Sequence, residues 1–230
     1  MAIFITALLV MSLALPGFAS GQADVSTFCP NVVTDAVTCL QSTVTDTTLS
    51  GLLTDPSTLL DVGSLVLINS GVICQTANTL QLQAMYDCLY AKLVLCIPTL
   101  WQKAYPTVQQ TKQHIVYICQ NVQNVDPTCV ADSSRSATRD ACVVAGTPPA
   151  TPTPSDAVAS VAFQCSQTDL TATCTQAAYA TCTGNTAALL SLSTKLQGPS
   201  GCAAGDIIRP SLILVIIPVA ACVTSLFTRV

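Results

Sequence analysis

Thirteen cysteines offer most of the chemistry in this chain of 230 residues. A cysteine can bind a metal, attack a substrate or form a disulfide, and the spacing between cysteines favours one of these uses. Structural zinc sites favour pairs separated by about two to four residues, whereas the closest cysteines here have seven residues between them. We therefore predict structural disulfides and no metal site. The cysteines that we expect to be paired are Cys29, Cys39, Cys74, Cys88, Cys96, Cys119, Cys129, Cys142, Cys165, Cys174, Cys182 and Cys202.

The spacing of these twelve cysteines suggests an internal duplication. The first six follow the pattern C-x9-C-x34-C-x13-C-x7-C-x22-C, and the next six follow C-x12-C-x22-C-x8-C-x7-C-x19-C. A second register aligns Cys29-Pro-Asn-Val with Cys119-Gln-Asn-Val, divides the cysteines five and seven, and would require a bond between the two modules. Chance similarity is the third possibility. The sequence alone does not choose among the many pairings that six cysteines allow.

Enzymatic chemistry has few candidate residues. The single histidine, His114, would have to serve any Ser-His-Asp or Cys-His site, and no G-x-S-x-G motif occurs. His114 lies in a Gln-rich stretch, so we expect a solvent-facing or capping histidine. The acidic residues are all Asp, at positions that suit helix caps and turns better than a pair of catalytic carboxylates. No phosphate-binding glycine loop or EF-hand occurs, so we predict no enzyme, no catalytic residue and no cofactor.

Two aromatic residues form a candidate recognition patch. Trp101 and Tyr105 lie between Pro98 and Pro106, and aromatic side chains are enriched at binding hot spots. The alternative is that the only Trp of the chain is the largest apolar side chain of a thin core. Both interpretations stay open at this point.

The N-terminal segment is typical of a secretory signal. Residues 3–15 are uncharged and apolar, and small residues precede a cleavage position after Ala19. No Lys or Arg precedes the apolar run, which departs from the usual pattern. A buried N-terminal helix or a membrane anchor is the alternative. We predict a signal peptide at 1–19, and therefore an oxidising compartment for the cysteines.

The C-terminal segment, 203–230, is typical of a glycosylphosphatidylinositol attachment signal. Small residues are followed by a short polar spacer, an apolar run and almost nothing else. Attachment at Ser200 or Gly201 would remove Cys202 and leave an odd cysteine, so we prefer Ala203, with Ala204 as the second candidate. A single-pass helix and a secreted product are the alternatives; Cys222 lies within the apolar run.

Composition and periodicity predict the fold class. The eight Lys and Arg residues form no cluster and the net charge is −4, so no nucleic-acid partner is expected. Apolar residues recur at helical spacing in 75–97 and again in 157–182 and 186–197. Asp55-Pro56 predicts another helix start, with Gly63 at its end. Thr and Val also favour strands, but alternation at period two is poor.

We therefore predict an all-α protein of two small disulfide-stapled helical modules. The first module is placed at 20–130 and the second at 157–202, joined by a Pro/Thr-rich linker at 131–156. On the long helix, Cys88 and Cys96 are about 80° apart around the axis, so both can face one neighbouring element.

Six-cysteine helical modules that are rich in Thr and Ser and free of Glu are also a feature of oomycete elicitins. Elicitins have a much shorter third cysteine interval than either module here, so we assign the chain to no family and transfer no sterol-binding function. The functional expectation is a non-enzymatic, membrane-anchored extracellular domain that acts in binding, adhesion or surface coating. Its partner would be an extracellular protein or an apolar ligand. The alternative is an extracellular carrier of a small apolar ligand in a disulfide-braced cavity.

Overall fold

The computed structural model describes residues 25–54, 62–148 and 156–202. All regular elements within these ranges are helical, which confirms the all-α prediction. The predicted signal peptide, the candidate attachment residues Ala203 and Ala204, and the C-terminal apolar segment lie outside them. In chain order the α-helices are α1 (Val25–Phe28), α2 (Val32–Thr43), α3 (Thr47–Leu52), α4 (Val62–Ile68), α5 (Ser70–Ile73), α6 (Thr76–Cys96), α7 (Thr99–Gln102), α8 (Val108–Asn121), α9 (Pro127–Val130), α10 (Ser133–Gly146), α11 (Ala157–Ala178) and α12 (Thr186–Leu196).

Aspartate side chains begin several of these helices. The carboxylates of Asp46, Asp126, Asp132 and Asp156 each accept a hydrogen bond from a backbone amide in the first turn of the helix that follows. Helix α8 begins instead with a capping box between Thr107 and Gln110. Such caps satisfy amide groups that a helix leaves without partners. The expectation that Asp residues serve as caps is confirmed at Asp46 and Asp126 and is wrong at Asp87, which lies in the middle of α6 and pairs with Lys112.

Disulfides divide the twelve cysteines into two sets of six. Within each set the first cysteine pairs with the fifth, the second with the fourth and the third with the sixth. This shared connectivity supports the six-plus-six duplication. In the five-plus-seven register, Cys74–Cys119 is the bond between the two modules that this register requires, but the connectivity then does not repeat from one module to the other. The pairs are Cys29–Cys96, Cys39–Cys88 and Cys74–Cys119 in the first set, and Cys129–Cys182, Cys142–Cys174 and Cys165–Cys202 in the second.

The same arrangement of helices surrounds each set of disulfides, and we refer to the two groups of helices as the first and second helical units. In the first, α6 packs between α2 and α8; in the second, α11 packs between α10 and α12. Cys88 and Cys96 on α6 bond to Cys39 on α2 and to Cys29 just before it, as their common face predicted. The first core is aliphatic, as expected, and its least exposed side chains include Leu49, Val66, Ile73, Leu82, Met85, Ile115 and Ile118.

The two helical units also pack against each other. Tyr179, Leu189 and Leu190 of the second unit form a smaller buried cluster with Leu67 and Tyr117 of the first. The helices α8 and α12 are in direct contact. The second unit therefore completes its thin core with side chains from the first.

The division into modules differs in detail from the prediction. Helix α10 occupies the first part of the expected linker at 131–156, because Asp132 caps it and the Cys142–Cys174 bond fastens it to α11. Cys129, which was placed in the first module, pairs with Cys182 of the second set. Gly63 does not end a helix but lies in the first turn of α4, whereas the predicted start at Asp55-Pro56 lies outside the described residues.

Candidate functional site

The turn from α6 into α7 places Trp101 at the surface. Pro98 follows the end of α6 and directly precedes the short helix α7. The side-chain amide of Gln102 donates to the carbonyl oxygens of Val94, at 3.1 Å, and Ile97, at 3.0 Å. These two bonds satisfy carbonyls at the end of α6 that lack helical partners. The Gln102 side chain therefore links α7 to the end of α6.

Trp101 is partly buried on a small apolar cluster outside the main core. Its ring centroid lies 5.6 Å from that of Phe28, with the rings tilted by 40°. Beneath the rings lie Ile97 and the Cys29–Cys96 disulfide, and Tyr105 packs against the same cluster. Trp101 therefore packs on this cluster and keeps some exposure, and its role in recognition stays a prediction.

Large aliphatic side chains next to Trp101 are exposed to solvent. Leu95 is 86% exposed and Leu100 is 68% exposed, and Val94 is also exposed. We refer to Phe28, Val94, Leu95, Leu100 and Trp101 as the Trp101 patch. Large exposed apolar side chains in one short segment are a feature of interaction sites. The sequence analysis singled out Trp101 and did not single out Leu95 or Leu100, because residue type and helical periodicity do not reveal which large apolar side chains stay exposed.

The end of the described chain is held against the same turn. The Ser200 amide donates to the Tyr105 carbonyl oxygen at 3.0 Å, and the Gly201 amide donates to that of Lys103 at 2.9 Å. A side chain on Gly201 would overlap Val161 of α11 and Lys103, so the backbone approaches closely here. The Cys165–Cys202 disulfide then fastens the following residue to α11.

His114 is buried, contrary to the expectation of a solvent-facing or capping residue. The side chain is 1% exposed, and its Nε2 lies 2.6 Å from the Oγ of Ser193 on α12. Gly63 covers this pair, since a Cβ there would be 3.0 Å from Cε1 of His114 and 3.1 Å from Oγ of Ser193. Burial of an imidazole is tolerated because the hydroxyl supplies a hydrogen-bond partner. The serine is remote in sequence, so no local pattern announced the pair.

A hydroxyl beside an imidazole is also the arrangement of a nucleophile and its base. Here the backbone of Gly63 packs against the pair, and both side chains face the contact between α8 and α12. The geometry therefore suits a hydrogen bond that joins the two helical units.

The described ranges lack two further features. No group of three His, Cys or Asp side chains that could hold a metal ion occurs there. None of the helices described is both long enough and apolar enough to cross a membrane.

Comparison with known proteins gives no relative. No model of a protein family matches the chain, and no curated protein and no solved structure is significantly similar to it. The class is therefore defined by the fold alone, an all-α, disulfide-rich protein. Six disulfides suggest an extracellular or secreted protein, because cytosolic thiols are kept reduced.

Proposed function

We propose that this chain is a non-enzymatic, membrane-anchored extracellular domain that acts in binding, adhesion or coating of the cell surface. The observation that carries the proposal is the position of Cys202. It is the last cysteine of the crosslinked framework, and it immediately precedes the segment that has the pattern of an attachment signal.

The contacts of Ser200, Gly201 and Cys202 favour some positions for a lipid anchor over others. Attachment at Ser200 or Gly201 would remove Cys202 and leave the Cys165 thiol without its partner, and attachment at Ser200 would also remove the Gly201 amide that bonds to Lys103. Attachment at Ala203 or Ala204 keeps these contacts. The hydrogen bonds and the disulfide therefore support the preference for Ala203 that cysteine parity gave.

The arrangement of side chains favours binding over catalysis. Leu95 and Leu100 are exposed in the segment around Trp101, whereas the one histidine is buried between helices. Two crosslinked helical units present a rigid surface that loses little conformational freedom on binding, which favours recognition or coating.

Treatment of expressing cells with phosphatidylinositol-specific phospholipase C tests the anchor. We expect release of a protein whose intact mass corresponds to a start after Ala19 and an end at Ala203 or Ala204 with its glycan. Retention on cells from which a lipid-anchored control protein is released would contradict the lipid anchor and favour a spanning helix. Appearance in the medium without enzyme would indicate a secreted product.

A pair of variants sharpens this test. Because attachment requires small residues, Ala203→Leu with Ala204→Leu should lower the amount of enzyme-releasable protein on the surface. Ile207→Leu with Ile208→Leu alters the neighbouring spacer and should leave that amount unchanged. Equal amounts in both pairs would contradict attachment at these alanines.

A further inference from the structure

We propose that the Trp101 patch rests on the lipid surface to which the C-terminal segment attaches, so that the domain lies against the bilayer at this end. This inference rests on the proposed membrane attachment and specifies which surface of the domain contacts lipid. The Trp101 patch contacts the headgroup region of a phospholipid bilayer.

The place where the described chain ends carries the proposal. The backbone at Ser200 and Gly201 is hydrogen-bonded to Tyr105 and Lys103, four and two residues beyond Trp101. A lipid joined at Ala203 would follow Cys202 directly. A spanning segment that begins near Leu212 would leave nine residues after Cys202, which reach at most roughly 32 Å. Either connection leaves the turn between α6 and α8 within reach of the membrane.

The chemistry of the patch suits the membrane interface. Trp side chains are enriched at the level of the headgroups, where one part of the ring is apolar and the indole N–H remains hydrated. Leu95 and Leu100 add aliphatic side chains that are largely exposed to water in the isolated domain. Insertion into the interface would remove this apolar area from water.

The charges in the segment around Trp101 add no opposing cost. Between Lys92 and Lys112 the sequence contains a single charged residue, Lys103, which is exposed. A cation beside an apolar patch is attracted to anionic headgroups, and its aliphatic stem can lie along the interface. No carboxylate from this stretch of chain would have to lose its hydration on contact with lipid.

Trp101 is itself the probe for the test, because it is the only Trp in the chain. The full processed protein is purified in detergent and reconstituted into phosphatidylcholine vesicles with or without spin-labelled phosphatidylcholine. Flotation first measures whether the protein is attached to the vesicles. Trp101 emission from the floated fraction then measures contact with the bilayer label, and iodide measures contact with water.

We expect the bilayer label to lower Trp101 emission at least twofold, with little quenching by iodide. The variant Leu95→Ser with Leu100→Ser should lose most of the quenching by lipid while it still floats. Leu80→Ser is the matched control, because Leu80 is 61% exposed on the same helix and lies about 22 Å from Leu95 along the axis. It should behave as the wild type. Circular dichroism checks that each variant keeps its helices.

The outcomes separate the two proposals. Flotation without quenching by lipid overturns the contact of the Trp101 patch with the bilayer and leaves the anchor intact. Emission that is shielded from iodide and unaffected by lipid label also overturns it, and indicates a second protein copy on the patch. Equal quenching in wild type and the double leucine variant overturns the role of the leucines. Failure to float overturns the membrane attachment, and this inference with it.

Discussion

The Nε2 atom of His114 and the Oγ atom of Ser193 are 2.6 Å apart, although 79 positions separate the two residues in the sequence. Their hydrogen bond joins α8 of the first helical unit to α12 of the second. Because the imidazole is buried, the serine hydroxyl is a partner that water cannot readily replace. The bond thus fixes the orientation of one unit against the other.

Removal of this hydroxyl should destabilise the fold. Ser193→Ala leaves a buried imidazole nitrogen without this partner, and we expect a loss of about 1–3 kcal/mol in the free energy of unfolding. Urea unfolding followed by circular dichroism measures the change. Ser191→Ala, on the same helix and similarly exposed, should stay within about 0.5 kcal/mol of the wild type. An equal effect of both substitutions would contradict a specific role for the bond to His114.

Gly184 offers a test of the contact between the segment that follows α8 and the segment that precedes α12. It forms an isolated bridge with Val125 and has a φ of 64°, and a Cβ there would overlap the Asn124 carbonyl oxygen. Gly184→Ala should therefore cost at least about 1–2 kcal/mol, since an L-residue is strained in this conformation. The opposite change in stability is expected for Gly51→Ala. It lies within α3 with nothing near its Cβ position, so a gain of about 0.5–1 kcal/mol is expected. Thermal unfolding measures the Tm of both variants. An unchanged Tm for Gly184→Ala would contradict the backbone geometry at Gly184.

The carboxylate of Asp126 should make stability depend on acid pH. Hydrogen bonds from the Cys129 amide and the Thr183 hydroxyl lower the pKa of Asp126 below its ordinary value of 3.8. A lowered pKa in the folded state stabilises the fold fully above the ordinary pKa, and this contribution is lost as the pH falls through the folded-state pKa. Asp126→Asn should remove that part of the acid-induced fall in Tm.

Asp169→Asn is the matched control for the acid titration. Asp169 is an exposed residue of α11 whose carboxylate lies 3.8 Å from the ammonium of Lys195. This variant should show the same acid-dependent fall in Tm as the wild type between about pH 5 and pH 2. If Asp126→Asn follows the same curve as Asp169→Asn, the hydrogen bonds to Asp126 do not stabilise the fold.

Helix α6 shows how much of the fold local sequence can predict. Its apolar spacing marks the helix to within one residue at each end, and the angle between Cys88 and Cys96 correctly indicated a common neighbour. Such information is local, because 3.6-residue periodicity and turn geometry depend on adjacent residues. The pairing of the cysteines is not local, so the sequence left it open and the structure supplies it.

The features that sequence missed depend on contacts between distant segments. Helix α10 lacks an obvious apolar stripe, and the Cys142–Cys174 disulfide holds it on α11. The burial of His114 requires Ser193, and the exposure of Leu95 requires that α6 ends without a neighbour on that side. Local periodicity assigned Leu93 and Cys96 to a packed face but did not reveal where that face stops.

The most direct test of an extracellular, crosslinked protein is the state of its cysteines in the native molecule. Intact cells are treated with an alkylating reagent, and the protein is then purified without reduction for intact-mass analysis and peptide mapping. We expect no alkylated cysteine from Cys29 to Cys202 and linked peptides that join first to fifth, second to fourth and third to sixth cysteine in each set. A cytosolic protein with alkylated thiols would contradict both the framework and the proposed location.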